Sequence, residues 1–198
     1  MRDKYGTRSD PACYPGTDVL INKLELRDAD LLAEAEAAFA ATAAESIEIS
    51  GPPYDLTYLC RLHRQLFEDV YDWAGEIREV DVSKGQTRFC AATRIAPEAD
   101  RIFAALTRDG SLVGLDRQDL VRRSAALYDD LNVVHPFREG NGRTLRLFFE
   151  HLVLSCGFSI SWLGIEADEW ISACIAAYSG DGFQLEAIFD RCIGTRID

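Results

Sequence analysis

The run His135-Pro136-Phe137-Arg138-Glu139-Gly140-Asn141-Gly142-Arg143, with Arg146 three residues further on, gathers the residue types that phosphate chemistry needs. Gly140 and Gly142 remove side chains, so the backbone N–H groups around Asn141 can come close to an anion. A helix beginning here points its unpaired N–H groups and the positive end of its dipole at the same place. On that helix Arg143 and Arg146 stand i, i+3, within reach of one polyphosphate. Glu139 is an oxygen ligand of the kind Mg²⁺ uses beside nucleotide phosphates. His135 is the one side chain here able to accept a proton near neutral pH. The Walker phosphate loop is excluded, because no Lys followed by Ser or Thr comes after the last Gly.

Two helices must hold this run. Asp116 caps a helix through roughly Leu131, with Leu120, Leu127 and Leu131 as its buried line, and this helix delivers His135. The following helix carries Leu145, Phe148, Phe149, Leu152, Val153 and Cys156 on one broad face, and Leu147 and Leu154 on the other. A helix apolar nearly all round is a buried central one. Gly157 ends it, and His151 points away from the phosphate end as a structural residue.

Upstream, residues 1–20 are rich in turn formers (Tyr5-Gly6, Asp10-Pro11, Tyr14-Pro15-Gly16-Thr17) and predict an ordered, irregular arm. A helix is expected from Asp28, as N-cap, to about Ser46, with Leu31, Leu32, Ala35, Phe39 and Ala43 at helical spacing. Gly51-Pro52-Pro53 breaks it. The next helix, about Leu56 to Val70, turns Leu59, Leu62, Leu66 and Phe67 to one side and holds His63 as a packed, hydrogen-bonded residue.

Over 80–90 the pattern changes. Val80 and Val82 alternate with polar residues, Lys84-Gly85-Gln86-Thr87 supplies a turn, and Arg88-Phe89-Cys90 returns, which composition alone reads as a short β-hairpin. Further helices are expected from Pro97 to about Leu106, Glu166 to about Tyr178 and Phe183 to Ile193, with Ser159 to Leu163 as an apolar connector. The reading is a single, mostly all-α domain over 1–198 with one hairpin.

Composition narrows the function. A hydrophobic content of 47% with 27% charged residues belongs to a soluble globular chain. No apolar run approaches the roughly 20 residues of a membrane span, so no membrane role is expected. Met1-Arg2-Asp3-Lys4 leads into polar sequence, which speaks against a cleaved signal peptide and for a cytoplasmic location. The net charge of −12 disfavours direct nucleic-acid binding and opposes ATP at long range, so the motif must build a local positive site. The six cysteines show neither Cys-x-x-Cys pairs nor zinc spacing and read as small core residues.

At every fixed position the run resembles the motif H-P-F-x-[D/E]-G-N-G-R-x-x-R of the Fic family of nucleotidyl transferases. The resemblance implies a helical Fic-type bundle and transfer of AMP from ATP to a Tyr, Thr or Ser hydroxyl of a target protein. It implies His135, Asn141 and Arg143 as catalytic residues. Phe137, Arg138, Gly140, Asn141, Gly142, Arg143 and Arg146 would bind ATP, and Glu139 would hold Mg²⁺. In Fic proteins the hairpin is a flap that lines up the target by main-chain hydrogen bonds, here through Lys84, Gly85, Thr87, Arg88 and Phe89. Other Fic enzymes transfer UMP or phosphocholine, and a non-catalytic interaction module is the remaining alternative.

Tyr14-Pro15-Gly16-Thr17 and the segment from Val19 to Leu24 resemble the start of Fic toxins of bacterial toxin–antitoxin pairs. Many Fic proteins restrain themselves with a helix [S/T]-x-x-x-E-[G/N]. No Ser or Thr here has Glu four residues on, so a small separate antitoxin carrying that helix is the implied partner. Type II topoisomerase ATPase subunits are targets by resemblance only.

Overall fold

The structure is a computed structural model that describes residues 12–197. The turns expected at Tyr5-Gly6 and Asp10-Pro11 lie outside these residues. From residue 12 the arm doubles back through a bridge between Cys13 and Leu20, with the Tyr14 N–H donating to the Val19 carbonyl. Buried Asn22 then fastens the chain to the carbonyls of Leu20 and Leu26.

Seven α-helices are found among the described residues: α1 Ala29–Ser46, α2 Leu56–Phe67, α3 Ile95–Arg108, α4 Arg117–Val134, α5 Asn141–Ser155, α6 Ala167–Tyr178 and α7 Phe183–Cys192. Three begin on an aspartate that accepts first-turn N–H groups: Asp28 from Asp30 and Leu31, Asp55 from Tyr58, and Asp116 from Asp119. Such a cap satisfies donors the helix cannot, and contributes about 1 kcal/mol.

The expected central helix is α5. Phe148, Phe149, Leu152 and Val153 on it have no exposed surface. Phe148 meets Tyr54, Tyr58 and Phe103 edge-on, while Phe149 packs against Tyr128 of α4 and Phe189 of α7. Each fully buried Phe contributes about 1.5–3 kcal/mol from the water it leaves. This packing fixes the N-terminus of α5, where the motif lies. His151 is buried beside the Tyr58 hydroxyl, a structural residue as expected.

Two expectations need correcting. On α1 the buried residues are Leu32, Glu36 and Ala40, whereas Leu31 and Phe39 are 53% and 39% exposed. In an Ala-rich helix the apolar period is shallow, and the buried stripe lies one residue out of phase with the Leu31, Ala35, Phe39 spacing. The connector after α5 is also partly a strand. Phe158–Ile160 (β3) pairs antiparallel with Ile193–Arg196 (β4), adding a second two-stranded sheet to the hairpin of Ser83–Lys84 (β1) and Thr87–Arg88 (β2). Among the described residues no helix is long and apolar enough to cross a membrane.

Candidate active site

α4 ends on His135, whose backbone is left-handed at φ 46° and ψ 62°. The imidazole Nδ1 lies 3.1 Å from the carbonyl oxygen of Asn132. A carbonyl only accepts, so Nδ1 carries the proton and Nε2 keeps its lone pair. Burial pushes the pKa down to about 4, reinforced by Arg78 and Lys84 and opposed by the Asn132 carbonyl and Glu139. The ring is therefore neutral at pH 7 and can take a proton at Nε2. Phe89 of the hairpin stacks on it, with centroids 3.7 Å apart and planes 13° from parallel.

The loop after His135 is pinned from below. His63 accepts the Gly75 N–H at Nδ1 (2.8 Å), so its Nε2–H donates to the Glu139 carbonyl (3.0 Å). Its ring stacks on buried Phe137 at 3.9 Å. Asn141 accepts from the Phe137 N–H (2.9 Å) and donates to the Phe137 carbonyl (2.8 Å). Both polar ends of its side chain thus close the loop instead of reaching outward for phosphate. At this point of the loop the polar groups left for a ligand are backbone ones. Gly140, the N-cap of α5, provides no side chain, and the first return bond runs from the Thr144 N–H to the Gly140 carbonyl. The amides of the first turn face outward.

The two motif arginines part company. Arg146 borders an open cleft of about 430 Å³ together with His135, Glu139, Asn141 and Gly142. Among the described residues its guanidinium has no ion pair. Arg143 turns the other way: it lies 2.7 Å from buried Glu36 of α1, 3.7 Å from Glu139, and over the Phe67 ring. Glu36 also accepts from the Tyr71 hydroxyl. The two guanidinium groups, expected to reach one polyphosphate, do not converge here: Arg146 borders the cleft and Arg143 lies against α1. Arg138 is buried and borders a smaller cavity of about 50 Å³ with Lys84, Phe89, His135 and Glu139.

Glu139 is the carboxylate that borders the cleft, and no group of three potential metal ligands occurs among the described residues. One carboxylate beside a phosphate-sized opening fits Mg²⁺, which takes its remaining ligands from substrate phosphates and water.

The hairpin forms the opposite lip, where Lys84, Gly85, Thr87 and Phe89 reach the cleft. Gly85 has φ 61° at the first central position of a two-residue turn, the place glycine serves in a type II′ hairpin. Lys84 pairs with Thr87, and Phe89 donates to the Val82 carbonyl. Alternation then leaves the N–H and C=O of Arg88 facing outward. The Tyr178 hydroxyl, at the end of α6, donates to that carbonyl. Ile171, Cys174 and Ile175 of α6 form a cleft wall that sequence reasoning missed. They belong to the site only through tertiary packing, and no local pattern distinguished them.

A profile of the Fic/DOC family matches residues 53–153. The probable protein adenylyltransferase Fic of Salmonella typhimurium is 42% identical over 98% of this chain and 96% of its own. The protein adenylyltransferase VbhT of Bartonella schoenbuchensis is 38% identical over 95% of this chain, which spans 40% of VbhT. Among solved structures, BepC of Bartonella tribocorum with bound AMPPNP superposes with a TM-score of 0.88 at 25% identity, covering 96% of this chain and 99% of that one. With a family match over half of its length and relatives at 38–42% identity over nearly all of it, the chain belongs to the Fic/DOC family.

Proposed function

We propose that this protein transfers AMP from ATP to a Tyr, Thr or Ser hydroxyl of a target protein, as a single domain acting in the cytoplasm. The observation that carries this reading is His135, neutral and with Nε2 free, at the mouth of a cleft floored by the start of α5 and bordered by Arg146. The target oxygen attacks the α-phosphorus while Nε2 takes its proton. The O–P bond forms as the bond from the α-phosphorus to the bridging oxygen breaks, and pyrophosphate leaves. The first-turn amides of α5 stabilise charge on the phosphate oxygens, and Arg146 holds the distal phosphates. Mg²⁺, when bound at Glu139, would supply charge neutralisation on the departing pyrophosphate.

Incubating the protein with α-labelled ATP, Mg²⁺ and bacterial lysate should label one or a few proteins. The label should vanish with EDTA. ATP labelled at the γ-position should transfer nothing; transfer of that label would replace AMP transfer with phosphorylation.

Arg88 offers a test of the hairpin. Its outward N–H is the donor a target strand would use, so Arg88→Pro should reduce target labelling ~10-fold or more while ATP affinity holds. Arg88→Ala controls for the lost charge. Equal loss of both properties in the Pro variant would make the hairpin a purely structural element.

Restraint in trans by a small helical antitoxin belongs to the same proposal. Two observations support it. Among the described residues Arg146 forms no ion pair, with Glu150 one turn on feeling its charge, so a Glu from another chain could occupy it. On α1, Leu31, Ala35 and Phe39 present an outward apolar line at i, i+4 and i+8 on which a helix could lie.

A further inference from the structure

Arg78 follows the turn after α2 and is 5% exposed, yet among the described residues its guanidinium makes no ion pair. Asp81, whose charge acts on it, accepts the Ala92 N–H instead. Every contact of this cation is to a backbone carbonyl. Nε donates to His135 (2.8 Å), Nη1 to Val80 (2.6 Å), and Nη2 to both Cys90 (2.5 Å) and Val134 (3.3 Å). Its backbone N–H donates to the Pro136 carbonyl (2.9 Å). Val80 and Cys90 are the two feet of the hairpin; Val134, His135 and Pro136 are the turn that presents the imidazole.

A buried charge is costly unless its hydrogen bonds are met. Lysine has three donors at one point and could not span these segments; the guanidinium fork can. The carbonyls it gathers are those a left-handed turn and a two-residue-wide hairpin leave without partners.

We infer that Arg78 is a positioning residue for AMP transfer: one guanidinium sets the distance between the His135 turn and the base of the hairpin. It touches neither nucleotide nor target. It acts by keeping the proton acceptor and the target-aligning strand in register, where an error near 1 Å can cost ~100-fold in rate. The inference rests on His135 being the proton acceptor.

The test compares wild type, His135→Ala, Arg78→Met and Arg78→Lys. AMP transfer to lysate protein is followed against ATP concentration, and ATP binding is measured separately. Arg78→Met should lower the maximal rate ~30–100-fold while KM and Kd for ATP stay within about 3-fold, because the α5 amides and Arg146 are untouched. Arg78→Lys, which keeps the charge and one or two bonds, should lose ~10-fold by the same split. Loss of rate and ATP affinity together, a rate equal to wild type, or failure of both variants to fold would each overturn the positioning role. Absence of transfer by wild type would instead overturn the function on which it rests.

Discussion

Replacing His135 with Ala is expected to reduce AMP transfer ~10²–10⁴-fold, the usual contribution of a general base, with ATP binding retained. The imidazole contacts the Asn132 carbonyl and Phe89, so its removal leaves the start of α5 and Arg146 in place. The pH profile is a second readout. The base works only when neutral, and its pKa is pushed down to about 4. On lowering pH, kcat/KM should therefore hold through 6.5, where an ordinary imidazole titrates, and fall only towards pH 4. Initial rates of label transfer between pH 4 and 8 measure this. A limb at 6.5 in wild type would mean the ring is solvated in the working enzyme.

Gly140→Ala should be the most damaging change of a single methyl group. Gly140 has φ 79°, and a Cβ there would stand 2.4 Å from the Phe67 ring. Phe67 cannot yield easily, being 1% exposed and packed between His63 and the Arg143 guanidinium. The left-handed backbone costs roughly 1–2 kcal/mol and the overlap roughly 1–3 more. For a chain of this size a thermal midpoint lower by ~5–20 °C follows. Gly142→Ala is the contrast: a Cβ there meets nothing within 4 Å, so its midpoint should barely move. Calorimetry of the two variants distinguishes a close approach at Gly140 from a general need for glycine.

What could be read from the chain alone depended on how local the cause is. Asp28 and Asp116 cap their helices through atoms two or three residues away, and those starts were legible. The buried run from Leu145 to Val153 announced α5 by composition. β3 and β4 were not legible, because the pairing of Phe158 with Arg196 is decided across the molecule. Glu36 looks like its exposed neighbours Glu34 and Glu45 in an Ala-rich helix, and only its contact with Arg143 reveals it. The motif marked residues that gather around one cleft, but not the direction in which each side chain points. Asn141 turns back to Phe137 and Arg143 to α1, since spacing along a helix does not say which neighbour a side chain meets. Arg78 stands among Asp72, Glu76, Glu79 and Asp81, so nothing in the local sequence marks it as the buried charge of that stretch.

The left-handed backbone of His135 sets its chemistry against its stability. A non-glycine residue held at φ 46° costs on the order of 1 kcal/mol that Gly or Asn would largely avoid. Folding alone therefore favours another residue at this position, and the proton-acceptor role proposed for His135 is what would keep histidine there. Selecting a library for thermal endurance with no demand for activity would drift position 135 towards Gly or Asn, enriching inactive proteins. A stabilising programme for this chain has to hold position 135 fixed and seek its gains elsewhere.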